Sequence, residues 1–185
     1  MIEVKSCPVC GASSFKEVFK APYFRGDGEL FSIKECEGCN FWVTSPRPDD
    51  DELGKYYDPK NYISHSNSSK TLMDKAYQVG RNYSLKKKVK LISRINGGTG
   101  RLLDYGAGTG HFLLAAKNSG WEVQGVEVSE GARKVAFEEN RLDLMAPEQF
   151  VVGKSLFSVI TLWHVLEHLP NLNDQLQKFY DCLDQ

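Results

Sequence analysis

The chain has 185 residues, a length that suits one domain of ordinary size or a small module joined to part of a larger one. Its 23 basic and 24 acidic residues nearly cancel, so the charge gives no support for a nucleic-acid or membrane surface as the main partner. No apolar run approaches the ~18 residues that span a bilayer, and the first residues lead directly into a cysteine motif without a secretory pattern, so we expect a cytoplasmic protein.

The first feature along the chain is a set of four cysteines in two C-x-x-C pairs. Cys7 and Cys10 form the first pair, Cys36 and Cys39 form the second, and 25 residues separate the pairs. Paired knuckles hold four thiolates around zinc, and four cysteine ligands leave the metal no open position, so we expect a structural zinc ion. Such a site contributes on the order of 10 kcal/mol to folding, which a module with little apolar surface needs. We interpret residues 1–45 as a zinc ribbon of short β-strands.

Two other chemistries are open to these four cysteines. Two disulfides would also use every sulfur, but a reducing cytoplasm disfavours them. A redox pair does not explain two matched pairs. The fifth cysteine, Cys182, is expected to be a plain thiol at a helical spacing.

Residues 46–95 are predicted to form a linker, a lid and leading helices. Prolines at positions 46 and 48 break the chain after the ribbon, and residues 49–57 have a helical pattern that Asp58 and Pro59 end. Residues 61–69 are polar and have no period. They form either a mobile linker or a lid that covers a ligand with three side chains, Tyr57, Tyr62 and His65.

A long helix is predicted from Thr71 to Ile95. Thr71 and Asp74 resemble a capping pair, and apolar residues recur at steps of three and four, namely Leu72, Ala76, Val79 and Tyr83. The same helix carries a basic run, Lys86, Lys87, Lys88 and Lys90. This run is either a patch that binds nucleic acid or, as the neutral total charge favours, a solvated helix face.

A glycine-rich turn follows this helix. The apolar pair Leu102 and Leu103 predicts a buried parallel strand that ends at Asp104, and three alternate glycines come next, Gly106, Gly108 and Gly110. Glycine lets the main chain approach a bound molecule closely. A helix then follows with Phe112, Leu113 and Ala116 on one face and a stop at Gly120. Strand, glycine turn and helix form a nucleotide-handling unit, although any tight strand-to-helix turn uses glycine.

An acidic residue ends the next predicted strand. Residues 121–127 alternate as a strand and finish on Glu127, where a carboxylate can accept hydrogen bonds from both hydroxyls of a ribose. The alternative is an ordinary solvated loop acid. Ser129 is placed to cap the following helix, whose inner face is expected to be Ala132, Val135 and Ala136.

Two further strands and a helix complete the pattern. Residues 142–145 predict a short third strand, and residues 157–163 predict a fourth. A helix begins near Asn173, with one apolar side made of Leu172, Leu176, Phe179 and Leu183. Because strands and helices alternate, the sequence predicts an α/β fold with a parallel sheet and right-handed crossovers.

These motifs together resemble those of class I S-adenosylmethionine-dependent methyltransferases. The resemblance covers roughly residues 70–185 and consists of the Asp104 to Gly110 glycine motif, Glu127 after the second strand, and the segment 163–170 after the fourth. Ser158 departs from the family pattern, which often has an acid there. The ribbon is similar to the zinc-binding leader of some bacterial methyltransferases that act on small molecules, including sugar C-methyltransferases.

The resemblance implies roles for individual residues. The glycine turn, with Gly106, Ala107, Gly108 and Gly110, would lie against the methionine part of S-adenosylmethionine. Asp104 would orient the loop and the cofactor's amino group, and Glu127 would hold the ribose. Val128 would pack on the adenine, while Trp163 and His164 would face the cofactor from the opposite side. His164 and His65 are the candidates for a catalytic base, whereas His111 and His168 are expected to be structural.

The resemblance also implies a Rossmann-like sheet with helices on both faces over residues 96–185, and methyl transfer to a small-molecule acceptor. A class I methyltransferase resembles a seven-stranded sheet, of which this sequence supplies four strands, so we expect the cofactor-binding half and an uncovered edge on the fourth strand. That edge predicts self-association or a partner chain. The alternatives are a non-catalytic zinc-ribbon and cofactor-binding module, and an RNA-modifying methyltransferase.

Overall fold

The computed structural model describes residues 1–22, 30–49, 72–154 and 156–184, with only the backbone for 72–77. These residues form two compact units. One holds the described residues up to 49 together with 170–175, and the other holds the described residues from 72 to 169 together with 176–184. Several predicted features lie outside the described residues: the helix over 49–57 beyond its first residue, the lid residues Tyr57, Tyr62 and His65, and the cap at Thr71.

The first unit contains an antiparallel sheet of three strands in sequential order. The strands are β1 (Phe15–Pro22), β2 (Leu30–Cys36) and β3 (Trp42–Thr44). The N-terminal residues join this unit because the Val4 amide donates to the buried hydroxyl of Ser45 at 3.0 Å. Ile2 also pairs with Arg47 in an antiparallel bridge. The backbone contacts of this module therefore reach residue 47.

The second unit begins with α1 (Leu72–Asn96), whose bounds agree with the predicted long helix within one residue. The predicted apolar face is wrong at Val79 and Tyr83, which are 70% and 61% exposed. The side chains of Leu72 and Ala76, which complete that prediction, lie outside the described ones. The buried side instead carries Val89 and Ile92. An α-helix turns 100° per residue, so the exposed and the buried residues lie on different sides of it. The directions of Val79 and Val89 differ by about 80°, and those of Tyr83 and Ile92 differ by about 180°. The sequence contained two apolar stripes, and packing against the sheet selected the second.

A parallel sheet follows, with β4 (Arg101–Tyr105) between β5 (Glu122–Val126) and β6 (Val159–Thr161). The connecting helices are α2 (His111–Lys117), α3 (Glu130–Asn140) and α4 (Leu172–Cys182). Two single 3-10 turns cover Pro147–Gln149 and Leu166–His168. The register aligns Asp104 with Gly125 on one side and Thr161 on the other, so the carboxyl ends of the strands meet at one edge.

The predicted third strand over 142–145 is reduced to a single bridge. Met145 pairs in parallel with Val126, beside β5. The amide of Leu142 is still bonded to Ala136 of the preceding helix at 3.1 Å, which prevents ladder pairing from starting earlier. Leu142 and Leu144 nevertheless face the core.

Helices pack on both faces of this sheet, which confirms the predicted architecture. Leu102 of β4 belongs to the cluster that α1, α2 and α3 cover, and Leu103 belongs to the cluster beside α4 that includes Phe157 and Cys182. The alternation of a strand places Asp104 on the same face as Leu102. Among the described residues, no helix combines the length and the apolar content that a bilayer crossing requires.

The last helix and the residues after it differ from expectation in two details. Leu176, predicted for the apolar side, is 41% exposed, and Cys182 is fully buried in its place alongside Phe179. Leu183 forms a parallel bridge with Phe157, just before β6. Association through the remaining outer edge of β6 stays a prediction.

Candidate functional site

The candidate site is built by three loops at the carboxyl edge of the parallel sheet. The glycine turn follows β4, Glu127 and Val128 follow β5, and Trp163 and His164 follow β6. In open α/β sheets, ligands bind outside the carboxyl ends of the strands. The fold therefore brings together the three separate motifs that the sequence singled out in this unit.

The glycine turn has a backbone that other residues adopt with difficulty. Gly106, Gly108 and Gly110 have φ angles of 81°, 56° and 79°. A Cβ atom on Gly106 would lie 2.3 Å from Cγ2 of Val165, in the loop after β6. The amides of Gly106 and Ala107 donate to the carbonyl of Val126 at 2.8 and 2.9 Å, which fixes the turn against β5. The alternate glycines thus serve tight packing between neighbouring loops as well as backbone conformation.

Glu127 lies directly against this turn. Its carboxylate accepts one hydrogen bond from the Gly108 amide at 2.7 Å and another from the Ser129 amide at 2.9 Å, and the residue is only 5% exposed. The Arg133 guanidinium donates to the carbonyls of Glu127 and Val128 at 2.6 and 2.8 Å. A carboxylate offers about four acceptor positions, so two remain on Glu127 for a ligand.

Asp104 is buried one strand away. Its carboxylate accepts a hydrogen bond of 2.6 Å from the Thr161 hydroxyl on β6. Burial raises the pKa of Asp104 to about 6, and the Glu127 charge acts in the same direction. The Thr161 hydrogen bond and the positive charge of Lys88 oppose that rise.

The loop after β6 contributes an aromatic ring and an imidazole. The Trp163 ring contacts Phe112 edge-on, with 5.6 Å between centroids, and the Lys88 ammonium lies 4.3 Å from the centre of the Trp163 ring. The indole Nε1 is buried and has no hydrogen-bond partner within the part of the chain that the structure describes. His164 is exposed and has a φ of 60°, an uncommon conformation for a residue with a Cβ.

The remaining predicted residues are placed as follows. Val128 is 76% exposed beside Glu127, so its side chain is free for contact with a flat ligand group. His111 begins α2 next to Arg81, whose guanidinium lies 3.2 Å from Nε2. Burial, and then the Arg81 charge, lower the pKa of His111. His168 is exposed in the turn after β6, and His65 is outside the described residues.

Three polar residues of this site were not identified from the sequence. Thr161 holds Asp104, Asn140 donates to the carbonyl of Thr109 at 2.7 Å, and Lys88 lies above Trp163. Thr161 and Asn140 each carried a signal, because a hydroxyl in an apolar strand and an amide at a helix end need partners when they are buried. Lys88 carried none, since it lies within a run of lysines.

The four paired cysteines of the first unit converge on one point. Their sulfur atoms all lie within 4.8 Å of one another, with 3.6 Å between Cys7 and Cys39 and 3.5 Å between Cys10 and Cys36. All four are free thiols, so the disulfide alternative is not what the structure shows.

The two cysteine loops also repeat one another. In the first loop, the Cys7 carbonyl accepts from the Gly11 amide at 2.9 Å, and in the second the Cys36 carbonyl accepts from the Asn40 amide at 2.8 Å. Gly11 and Asn40 both have positive φ angles, 76° and 59°. Burial opposes ionisation of Cys7, yet the backbone amides of Cys10 and Val9 bond to its sulfur and its pKa falls to about 7. This donor set suits a tetrahedral zinc ion.

Comparison with known proteins gives a match over the C-terminal part of the chain. A family model described as a methyltransferase domain matches residues 77–185. No curated protein matches the chain significantly.

Three solved structures are among those to which this chain is similar. Magnesium protoporphyrin IX methyltransferase from Synechocystis PCC 6803 with bound SAM is 18% identical with a TM-score of 0.54, and the match covers 76% of this chain and 75% of that one. A SAM-bound amino pentose methyltransferase from Micromonospora echinaspora is 21% identical with a TM-score of 0.49, covering 65% and 55%. The YcgJ protein from Bacillus subtilis is 23% identical with a TM-score of 0.46, covering 56% and 47%. The chain therefore spans about half the length of the last two proteins.

Proposed function

This chain belongs to the methyltransferase-domain family, and from that premise we propose that it carries the cofactor-binding part of an S-adenosylmethionine-dependent methyltransferase that acts on a small-molecule acceptor. The observation that carries the proposal is the pairing of Glu127 with the glycine turn. An acidic group with two unused acceptor positions lies hydrogen-bonded to a turn whose main chain can approach a ligand.

The residues present fit this cofactor. Vicinal ribose hydroxyls are donors that match the two remaining positions on Glu127. The exposed Val128 side chain would pack on the adenine, and the turn over Gly106, Ala107, Gly108 and Gly110 would hold the methionine part. Asp104 would accept a hydrogen bond from the cofactor's ammonium group. When it is bound, S-adenosylmethionine supplies an electrophilic methyl group on a sulfonium.

The protein's part in such a reaction is mainly positioning. Holding two reactants in line supplies much of the rate gain in a transfer reaction. An oxygen or carbon acceptor also requires removal of a proton, and we assign this role to His164, which is exposed at the carboxyl edge of β6. His65 stays a second candidate, in the segment that the sequence predicts to be a linker or a lid.

The N-terminal module would bind zinc through Cys7, Cys10, Cys36 and Cys39. Four thiolates complete the coordination of the metal, so the ion would stabilise the module and take no part in methyl transfer. The near-neutral charge of the chain supports a small-molecule acceptor over a nucleic acid.

Calorimetric titration with S-adenosylmethionine tests this proposal. A charged hydrogen bond contributes roughly 1.5 to 3 kcal/mol, so Glu127→Ala should raise the Kd by about one to two powers of ten. Glu122→Ala is the matched control, because Glu122 is an exposed residue of β5, the strand that Glu127 follows. Circular dichroism of each variant verifies folding. An unchanged Kd in Glu127→Ala contradicts the ribose assignment, and absence of binding by the unsubstituted chain contradicts the proposed function.

A further inference from the structure

Arg133 is the fourth residue of α3, close to the start of the helix. A cation near a helix N-terminus opposes the helix dipole, so its charge gains nothing from the helix itself. The guanidinium instead reaches back to the loop after β5, where one nitrogen, Nη1, donates to the carbonyl oxygens of Glu127 at 2.6 Å and Val128 at 2.8 Å. The two hydrogens of this nitrogen thus match two consecutive carbonyls of the candidate site.

The peptide group between Val128 and Ser129 is held at both ends. Its carbonyl oxygen accepts the hydrogen bond from Arg133, and its N–H, the Ser129 amide, donates to Oε1 of Glu127 at 2.9 Å. Because a trans peptide group is planar, its C=O and N–H point in opposite directions, and a rotation of one rotates the other. By holding the carbonyl, Arg133 therefore aims the Ser129 N–H at the Glu127 carboxylate.

The Glu127 carboxylate is anchored through both of its oxygens. Oε1 accepts from the Ser129 amide, and Oε2 accepts from the Gly108 amide at 2.7 Å. With both oxygens held, the carboxylate plane is fixed, so the two acceptor positions that remain have set directions. A group that is oriented in advance loses less conformational freedom when a ligand binds, which increases affinity.

We propose that Arg133 is a positioning residue of the cofactor site, which orients the Glu127 carboxylate toward the two ribose hydroxyls by fixing the peptide group between Val128 and Ser129. The use of that carboxylate by the ribose rests on the proposed function. The effect of Arg133 on the Ser129 amide does not, because it is a property of the ligand-free protein.

The first test is amide hydrogen exchange of the ligand-free protein, measured by NMR. Arg133→Met should make the Ser129 amide exchange about tenfold faster, since the loss of the guanidinium frees its peptide group to rotate. The amide of Leu103, in the central strand β4, is the internal reference, because global unfolding would accelerate both amides alike. Lys134→Met is the control, since Lys134 is the next residue of α3 and its side chain is 73% exposed. An unchanged ratio of the Ser129 and Leu103 rates in Arg133→Met overturns the proposal.

The second test compares the Kd of two ligands, S-adenosylhomocysteine and its analogue that lacks both ribose hydroxyls. Arg133→Met should bind the first about tenfold more weakly and the second less than about twofold more weakly, because only the first uses the oriented carboxylate. In the Glu127→Ala background, Arg133→Met should cause no further loss. Arg133→Lys should recover most of the affinity, since an ammonium also offers enough hydrogens on one nitrogen for both carbonyls.

The outcomes separate this proposal from the proposed function. Equal loss for both ligands overturns the link through Glu127, because a general structural defect does not distinguish a ribose from its analogue. If neither the unsubstituted protein nor any variant binds S-adenosylhomocysteine, the proposed function fails, while the exchange rate of the Ser129 amide still decides the role of Arg133. Arg133→Ala, with the highest helix propensity, replaces Arg133→Met if the latter does not fold.

Discussion

The carboxylate of Glu127 accepts a hydrogen bond from the backbone amide of Gly108 at 2.7 Å, across the space between two neighbouring loops. The acid that follows β5 is therefore part of the structure of the glycine turn before any ligand is present. Its second oxygen accepts from the Ser129 amide at 2.9 Å, at the start of α3. One side chain thus links the first loop of the site to the helix that follows the second.

This link predicts a stability effect that is separate from cofactor binding. Glu127→Gln replaces one acceptor oxygen with an NH2 group, which leaves one backbone amide without a partner. We expect the free energy of unfolding of the ligand-free protein to fall by about 1–3 kcal/mol, as measured by urea denaturation. Glu122→Gln, at an exposed position of β5, should change it by less than about 0.5 kcal/mol. Equal stability of the two variants would show that the hydrogen bonds from the Gly108 and Ser129 amides to Glu127 do not stabilise the folded protein.

The contact between Gly106 and Val165 gives a second prediction. Gly106→Ala introduces a Cβ at positive φ and places it 2.3 Å from Val165, so it should destabilise the protein through both strain and overpacking. Gly97→Ala is the matched control, because Gly97 has a similar φ of 73° and open space where a Cβ would lie.

We expect Gly97→Ala to cost about 1–2 kcal/mol from backbone strain alone, and Gly106→Ala to cost about 1–3 kcal/mol more. Thermal unfolding of both variants measures the difference. Val165→Ala combined with Gly106→Ala should recover part of the additional loss. Equal costs for the two glycines would mean that the packing of the turn against the loop after β6 is not tight.

The features that the sequence revealed are those whose chemistry is local. The cysteine pairs and the alternate glycines are each recognisable within a few residues. Glu127 is recognisable as a candidate ligand-binding acid because it comes directly after a predicted strand. Thr161 and Lys88 are different, because each meets its partner only when the fold brings distant parts of the chain together. Thr161 on β6 bonds to Asp104, 57 residues earlier, and Lys88 on α1 contacts Trp163 in the loop after β6. The choice between the two apolar stripes of α1 has the same cause, since only the sheet decides which stripe is buried.

The short third strand shows another limit of the sequence. Its apolar residues Leu142 and Leu144 are buried as the pattern indicates, yet only Met145 pairs with β5. Hydrophobic alternation reports which side chains face the core. It does not report where the backbone leaves the preceding helix, and here the hydrogen bond from the Leu142 amide to Ala136 delays pairing.

Asp104 gives a third prediction, which concerns the dependence of stability on pH. Its folded pKa of about 6 lies above the ordinary value of 3.8, so its contribution to stability is complete below pH 3.8 and is lost as the pH rises through 6. Asp104→Asn removes this titration. The free energy of unfolding of the variant, relative to the unsubstituted protein, should therefore increase by about 1.4 kcal/mol between pH 5 and pH 7.5.

Urea denaturation at several pH values measures this difference. Asp143→Asn is the control, because Asp143 is exposed and its substitution should give a difference that is constant with pH. A constant difference for Asp104→Asn as well would show that Asp104 does not titrate in this range in the folded protein.

The cysteine cluster gives the last prediction, which is one zinc ion per chain. Elemental analysis of protein prepared with zinc should find a stoichiometry of one, and Cys36→Ser should lose it because three thiolates bind zinc far less tightly than four. Cys182→Ser is the control, since Cys182 is buried beside Phe157, outside the cluster. Because the thiolates must be deprotonated, zinc should also be released as the pH falls. A strong chelator should then unfold the β1–β3 sheet, seen as loss of its slow amide exchange. Full zinc content in Cys36→Ser, or none in the unsubstituted protein, would rule out the four-thiolate site.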